Sequence, residues 1–197
     1  VEAVSEKAKK EPVWVHFGIG NIFRVFIGGI ADGLLEEGVM DRGITCVETF
    51  DYDVVDKIYQ PYDNLGLNVI LHGNGTREYK VIGSLAEAVK AQASDPEQWK
   101  RLKEIFASSS LQLVSFTITE KGYALHRADG TWLPYVAADI QNGPEKATGA
   151  MAVLVAMLYV RYQVGKYPLA LVSMDNCSQN GAKLRESVLT MTKEWQK

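Results

Sequence analysis

Two glycines separated by one residue, Gly18 and Gly20, are the first residues in this chain of 197 whose types and spacing indicate chemistry. They follow an apolar run at residues 12–18 and precede apolar residues at helical spacing. Glycines between a strand and a helix let the backbone approach a diphosphate, which then binds the free N–H groups of the helix start. Asn21 is predicted to cap this helix. Phe23 stands where a dinucleotide fingerprint has its third glycine, so an ordinary strand–turn–helix connection is the alternative.

An acidic residue at the end of the second strand would complete a nucleotide site. Glu48 lies at the end of the strand predicted at residues 43–50. It comes later in the chain than the interval of about 20 residues that is usual for such an acid, and the long first helix accounts for the difference. A carboxylate there accepts from ribose hydroxyls and repels a 2′-phosphate, which favours NAD over NADP. Asp51 is the second candidate, and an exposed strand-end acid without a ligand is the alternative.

Two further polar clusters each follow a strongly apolar run. Ligands of open α/β sheets bind beyond the carboxyl ends of the strands, where both clusters are expected. Asparagine amides can stabilise a developing alkoxide, but solvated turns use the same residue types. The candidates are Thr119, Glu120 and Lys121 in the first cluster, and Asp175, Asn176 and Asn180 in the second.

Predicted strands and helices alternate along the chain. Strands are expected at residues 12–18, 43–50, 67–73, 78–84, 111–119 and 167–174, and helices at 22–37, 51–62, 84–92, 95–108, 145–164 and 180–197. Residues 1–12 are expected to be a flexible segment. The alternation predicts an α/β fold for residues 13–197, a doubly wound and mostly parallel sheet with helices on both faces.

Composition argues against several classes of partner. The net charge of −3 and the lack of a dense basic patch give no indication of nucleic-acid binding. The longest apolar run, residues 147–160, is shorter than the roughly 20 residues that a membrane helix needs. Cys46 and Cys177 match no zinc spacing and the histidines are scattered, so no metal is expected. A reducing cytoplasm is the expected location.

Four stretches together resemble the mannitol dehydrogenase family of polyol-specific long-chain dehydrogenases and reductases. They are VHFGIGNIFRVF, TITEKGY, AADIQNGPEKATGAM and SMDNCSQNG, and they occur in the family's order. The first is similar to a family fingerprint of the form G-x-G-N-x-x-R, carried here by Gly18, Gly20, Asn21, Ile22, Phe23 and Arg24. A bulky residue at the third glycine position is normal in that fingerprint, so Phe23 is a family variant.

The resemblance implies a Rossmann-like NAD-binding domain of an oxidoreductase. Family members, such as mannitol 2-dehydrogenase and fructuronate reductase (mannonate oxidoreductase), transfer a hydride between a nicotinamide cofactor and a ketose, keto-uronate or polyol, without a metal. Asn176 is the first candidate and Asn180 the second for support of the reacting oxygen, and Glu120 is expected near the nicotinamide. The family's lysine base lies in a helical C-terminal substrate domain, which is absent from these 197 residues.

Several expectations follow from that difference. The chain alone is expected to bind NAD weakly, to have little turnover, and to self-associate through apolar surface that the absent domain would cover. A non-catalytic dinucleotide-binding module is the alternative for this chain. An enzyme of the mannitol-1-phosphate 5-dehydrogenase type is a further alternative, although no phosphate site for such a substrate is evident.

Overall fold

The computed structural model describes all residues, 1–197, and contains seven strands and seven α-helices. The strands are β1 Trp14–Phe17, β2 Ile44–Glu48, β3 Gly66–Leu71, β4 Arg77–Ile82, β5 Leu85–Lys90, β6 Leu113–Phe116 and β7 Ala170–Ser173. The α-helices are α1 Glu2–Lys10, α2 Gly28–Glu36, α3 Pro96–Ala107, α4 Thr119–Tyr123, α5 Pro134–Asn142, α6 Ala150–Val164 and α7 Asn180–Trp195. A π-helical turn, Phe23–Ile27, leads directly into α2, and a second, Val55–Tyr59, precedes the short 3₁₀ turn Gln60–Tyr62.

Five strands form one parallel sheet in the order β5-β2-β1-β6-β7. Helices cover both faces, and each face has its own hydrophobic core. The larger core lies between the sheet and helices α3, α6 and α7, and the smaller one lies under the π-helical turn and α2. Val15 and Phe17 of β1 point into the larger core, while His16 between them faces the other side. The doubly wound α/β fold predicted from the sequence is confirmed.

Residues 84–92 were predicted to form a helix, and that prediction is wrong, because they contain β5. Leu85, Ala86, Ala88 and Val89 are all buried, and β5 pairs in parallel with β2, with one shift of register between Ile44 and Thr45. Alanine, glutamate and lysine favour helices in isolation, but the preference is weak, and pairing with burial on both faces overrides it here.

Two other segments differ from expectation. The strand β7 was predicted to be buried but is the edge strand of the sheet, and Val172 is 38% exposed. Residues 1–12, expected to be flexible, contain α1, which packs on the sheet edge at β5. Ala8 is fully buried there, and the Ser5 hydroxyl donates to the Ala86 carbonyl at 2.6 Å.

The strands β3 and β4, predicted only as two extended segments, pair with each other as an antiparallel hairpin outside the main parallel sheet. Its outer face carries apolar side chains exposed to solvent, with Leu71 at 73% exposure and Tyr79 at 61%. No helix of the chain combines the length and the apolar character that a membrane span requires.

Buried polar side chains fix the ends of α6. The Asp139 carboxylate accepts from the backbone N–H groups of Thr148 and Gly149, each at 2.9 Å, and so holds the helix start. At the other end Arg161 is 2% exposed and donates to five backbone carbonyls between Phe106 and Pro168. Burial lowers the pKa of Arg161, and the ring of carbonyl dipoles stabilises its charge.

Candidate functional site

The glycine turn after β1 has the geometry that the sequence predicts. Gly18 adopts φ +87°, and a Cβ there would collide with the Thr117 carbonyl oxygen, so only glycine fits without strain. Its N–H donates to the Val47 carbonyl at 3.1 Å. Gly20 has open space where a Cβ would stand, and its carbonyl accepts from Arg24 N at 3.0 Å to begin the helix. The turn is therefore rigid at Gly18 and open at Gly20.

The backbone N–H groups of residues 20–23 have no hydrogen-bond acceptor in the protein. They lie at the start of a continuous helical segment that runs from Asn21 to Glu36. Free N–H groups at a helix start, together with the helix dipole, favour an anion such as a diphosphate.

The prediction that Asn21 caps this helix is wrong. The helix already begins at Asn21, and a capping side chain must come from the residue before it. The Asn21 Oδ1 instead accepts from the Arg24 guanidinium. Arg24 lies half-buried over the Tyr59 ring, 5.8 Å from its centroid, and the Tyr59 hydroxyl donates to the Ile19 carbonyl at 2.8 Å. Burial raises the pKa of Tyr59.

The next residues of the fingerprint have divergent positions. Ile22 is 71% exposed beside the turn. Phe23 is fully buried, and its ring stacks on the His16 imidazole with centroids 4.1 Å apart and planes at 10°. Ring stacking thus occupies the place where a third glycine would let helix and strand approach closely. Burial lowers the pKa of His16 to about 3.

Glu48 lies directly beside the glycine turn, at the end of β2. Its Oε1 accepts from Thr49 N at 2.9 Å and Phe50 N at 3.0 Å, and its Oε2 lies 3.5 Å from Ile19 N. The side chain is mostly buried, and Oε2 keeps accepting capacity because its one contact is long. Asp51 is exposed and further from the turn in the chain.

An exposed aromatic ring next to Glu48 was not among the predicted site residues. Phe50 is 92% exposed, the most exposed of the large apolar side chains. A large apolar residue two positions after a strand-end acid was the signal in the sequence that could have identified it.

The second polar cluster is organised by Asp175, which joins the two motifs that follow β6 and β7. Its carboxylate accepts from Ile118 N at 3.0 Å, Thr119 N at 2.9 Å and the Tyr123 hydroxyl at 2.6 Å. Thr119 is held at φ +63°, an uncommon conformation for a branched residue. Burial, followed by the bond to Asp175, raises the pKa of Tyr123.

The two candidate asparagines differ in availability. The Asn180 amide donates to the carbonyls of Ser173 at 3.3 Å and Asp175 at 3.0 Å, and its Oδ1 accepts from Gly181 N at 2.7 Å. It is therefore engaged in the turn before α7. Asn176 is exposed, and its side chain makes no hydrogen bond in the protein.

Glu120 and Lys121 lie on the exposed side of α4. The Glu120 carboxylate pairs with Lys183 of α7 at the rim of a cavity of about 260 Å³, whose wall includes Tyr123 and His126. Lys121 is exposed, with no salt-bridge partner. The structure brings no three histidine, cysteine, aspartate or glutamate side chains together in a cluster that could hold a metal.

All these groups meet at one edge of the sheet. In the parallel register Phe17 of β1 lies beside Val47 of β2 and Phe116 of β6, so the carboxyl ends of the strands are aligned. The chain order of the strands reverses between β1 and β6, and such a switch point is where open α/β sheets bind ligands. The glycine turn and Glu48 lie on one side of this point, and the Asp175 cluster lies on the other.

Comparisons with known proteins agree with this arrangement. The family model of the mannitol dehydrogenase Rossmann domain matches residues 12–197. Over 197 residues the chain is 47% identical to D-mannonate oxidoreductase of Thermotoga maritima, covering all of this chain and 36% of that protein. It is 29% identical over 190 residues to polyol:NADP oxidoreductase of Gluconobacter oxydans, covering 93% of this chain and 38% of the relative.

The fold is similar to that of a solved structure, Pseudomonas fluorescens mannitol 2-dehydrogenase in a ternary complex with NAD and D-mannitol. The TM-score is 0.79 at 26% identity, over 92% of this chain and 37% of the other. The chain thus spans between 36% and 38% of the length of these relatives. Because the family match includes the glycine turn, both polar clusters and all five strands of the parallel sheet, the chain belongs to the mannitol dehydrogenase family, as its Rossmann domain.

Proposed function

We propose that this chain is the NAD-binding part of an oxidoreductase that transfers a hydride between the cofactor and a sugar acid or polyol. The observation that carries the proposal is the open turn at residues 20–23, with its unpaired N–H groups, beside the Glu48 carboxylate. Bound NAD supplies the hydride acceptor, and its reduced form supplies the donor. The protein's own groups bind and orient the two reactants.

The residues of the turn fit a dinucleotide. The N–H groups of residues 20–23 receive the diphosphate, and the absence of a side chain at Gly20 lets it approach the backbone. The Arg24 guanidinium adds a positive charge one helical turn away. The Glu48 Oε2 accepts from the ribose hydroxyls, and the exposed Phe50 ring offers a flat surface to the adenine.

Glu48 favours NAD over NADP. A 2′-phosphate placed on the ribose would bring a second negative charge against the buried Glu48 carboxylate. The Gluconobacter relative is named for NADP, whereas the Pseudomonas structure contains NAD, so family membership alone does not determine the cofactor. Asp51 adds negative charge to the same loop in this chain.

The Asp175 cluster holds the nicotinamide end. Asp175 fixes the start of α4, which positions Thr119, Glu120 and Lys121 beyond β6. Asn176, with its free amide, donates a hydrogen bond to the oxygen that changes between ketone and alcohol. Asn180 supports the turn that presents Asn176. The proton on that oxygen is exchanged with the lysine base of the family's second domain, so these 197 residues alone give little turnover.

The substrate class follows the relatives' names. The Thermotoga relative is a D-mannonate oxidoreductase, which favours a keto-uronate and its aldonate as the pair that this protein interconverts. The Pseudomonas structure contains D-mannitol, so the fructose–mannitol pair is the other member of the proposed class.

The test of this function is a steady-state assay on the gene product that contains this chain at full length, with D-fructuronate and NADH. Asn176→Ala is expected to lower kcat by roughly 100-fold, because a donor to a developing alkoxide is lost. Asn142→Ala, at another exposed asparagine, the last residue of α5, is the matched control and is expected to leave kcat unchanged. Equal rates in the two variants would contradict the role of Asn176. Failure to reduce fructuronate, tagaturonate and fructose alike would contradict the function.

A further inference from the structure

His16 occupies an unusual position for a histidine, in the middle of the parallel sheet and directly below the glycine turn. It is fully buried, and both ring nitrogens contact hydroxyl groups of the β6 segment. Nδ1 lies 2.6 Å from Ser115 Oγ, and Nε2 lies 2.8 Å from Thr117 Oγ1. His16 is too buried to contact a ligand, and apolar packing alone would not require hydrogen bonds at both of its ring nitrogens.

The direction of these hydrogen bonds is fixed by the groups at the two ends. The Trp14 Nε1–H can only donate, and it lies 2.7 Å from Ser115 Oγ. The Gly18 carbonyl can only accept, and it lies 2.8 Å from Thr117 Oγ1. Because Thr117 has one proton and donates it to Gly18, its oxygen accepts from His16 Nε2–H. Ser115 accepts from Trp14 and donates to Nδ1.

Only one form of His16 satisfies all four bonds, the neutral ring with its proton on Nε2. In the other neutral tautomer, Nδ1–H and the Ser115 hydroxyl would both be donors and would not bond to each other. Nε2 would then be an acceptor without a donor, because Thr117 donates its only hydroxyl proton to the Gly18 carbonyl. A protonated ring would leave the Ser115 hydroxyl proton without an acceptor. The result is a continuous directional chain from Trp14 to the Gly18 carbonyl.

The chain connects the two parts of the turn that would bind the diphosphate. It ends at the Gly18 carbonyl, while the Gly18 N–H is held by Val47 on the opposite side. The same imidazole stacks on Phe23, whose N–H is one of the four unpaired groups. His16 therefore contacts both the first glycine, through Thr117, and the first helical turn, through Phe23.

We propose that His16, acting with Ser115 and Thr117, is the positioning residue of the dinucleotide site. It fixes the distance between the glycine turn and the helix start, which a third glycine sets by close packing in the usual fingerprint. This inference rests on the proposed cofactor function. It adds a specific hydrogen-bond chain and a specific tautomer, which can be measured separately.

The first test compares ligands with and without a diphosphate, on Thr117→Val. This change keeps the shape of the side chain and removes the link between His16 and Gly18. The Kd values of NADH and of ADP are expected to rise roughly tenfold, the equivalent of one net hydrogen bond, while the Kd of adenosine stays unchanged. Thr117→Ser, which keeps the hydroxyl, is expected to restore binding.

Thr45→Val is the matched control, because Thr45 is a fully buried threonine on the neighbouring strand β2 whose hydroxyl contacts only Glu87, at 3.4 Å. It is expected to leave all three Kd values unchanged. If the wild type binds NADH and Thr117→Val binds it with the same affinity, the inference is overturned and the proposed function stands. Absence of NADH binding by the wild type would overturn both.

The second test needs no variant. Two-bond ¹H–¹⁵N correlation spectra of the wild type are expected to show His16 as a single neutral tautomer protonated on Nε2, unchanged from pH 5 to 8. A ring protonated on Nδ1, or one that titrates in this range, would overturn the hydrogen-bond chain and with it the positioning role.

Discussion

At the scale of single residues, the two glycines of the turn, Gly18 and Gly20, have different structural reasons to be glycine. Gly18 is a glycine because its own backbone requires one, with φ +87° and the Thr117 carbonyl in the place of a Cβ. Gly20 has an ordinary φ and free space around it. The fold requires the first glycine, and on the proposed function the ligand requires the second.

The two alanine variants should therefore separate stability from binding. Gly18→Ala is expected to lower the free energy of unfolding by at least about 2 kcal/mol, from backbone strain and the collision with Thr117. Gly20→Ala is expected to change it by less than about 1 kcal/mol but to weaken NADH binding at least about tenfold, because a Cβ enters the diphosphate position. Chemical denaturation and NADH titration measure the two effects. Gly20→Ala with wild-type affinity would contradict the diphosphate site.

His16 makes stability depend on pH. Burial lowers its pKa to about 3, against 6.5 for an unperturbed histidine. Below pH 6.5 the unfolded chain gains a proton that the folded chain does not bind, so the free energy of unfolding falls by up to about 1.4 kcal/mol per pH unit as pH decreases. His16→Gln removes this contribution. Denaturation at pH 7.5, 6.5 and 5.5 should show the wild type losing stability more steeply than the variant, and parallel slopes would contradict the buried neutral ring.

At the scale of elements, Asp175, which follows β7, ties its own segment to the chain after β6 and to both ends of α4. Its carboxylate accepts from Ile118 N, from Thr119 N and from the Tyr123 hydroxyl. Asparagine has one acceptor oxygen in place of two, so Asp175→Asn leaves at least one of these donors unpaired. The free energy of unfolding is expected to fall by about 1–3 kcal/mol. Asp51→Asn, at an exposed acid without hydrogen bonds from its side chain, should leave it unchanged. A similar small change in both variants would contradict the anchoring role of Asp175.

The sequence predicted some elements better than others, for physical reasons. The alternation of apolar runs located β1, β2, β6 and β7. The helix predicted at residues 95–108 is α3, and the Asp95 carboxylate caps its start by accepting from Gln98 N at 3.2 Å. The segment that forms β5 was missed because its residues favour a helix and only pairing with β2 makes it a strand. Such pairing joins residues about 40 positions apart and leaves no local pattern.

The sequence predicted the positions of candidate site residues where a motif or the end of a strand determines them. Gly18 and the position of Glu48 followed from motif and strand order, and both lie where they were expected. The amide of Asn180 and the carboxylate of Asp175 could not be assigned, because turns and ligands use the same groups and only tertiary contacts decide between them. The prediction that Asn21 caps the helix is wrong because the spacing of apolar residues predicted a helix start at residue 22, whereas the helix begins at Asn21 itself.

At the scale of the whole molecule, the strand order places two groups of residues at one edge of the sheet: the glycine turn with Glu48, and the cluster around Asp175. β1 is the central strand, so the turn that follows it has Glu48 of β2 on one side. On the other side lie Thr117, which follows β6, and Asp175, which follows β7. A cofactor extended across the switch point would contact both clusters at once. The proposed function needs this geometry, because ribose recognition and support of the reacting oxygen come from opposite sides of β1.

The most direct test of the account is a fluorescence titration of this chain with NADH and with NADPH, on the wild type and on Glu48→Gln. We expect saturable NADH binding by the wild type, at least about tenfold tighter than NADPH, because Glu48 accepts from the ribose and repels a 2′-phosphate. Glu48→Gln should weaken NADH binding and narrow the preference, whereas Glu87→Gln, an acid on β5 paired with Arg101, should change neither. Equal affinity of the wild type for NADH and NADPH, unaffected by Glu48→Gln, would contradict the assignment of Glu48, and binding of neither dinucleotide would contradict the site itself.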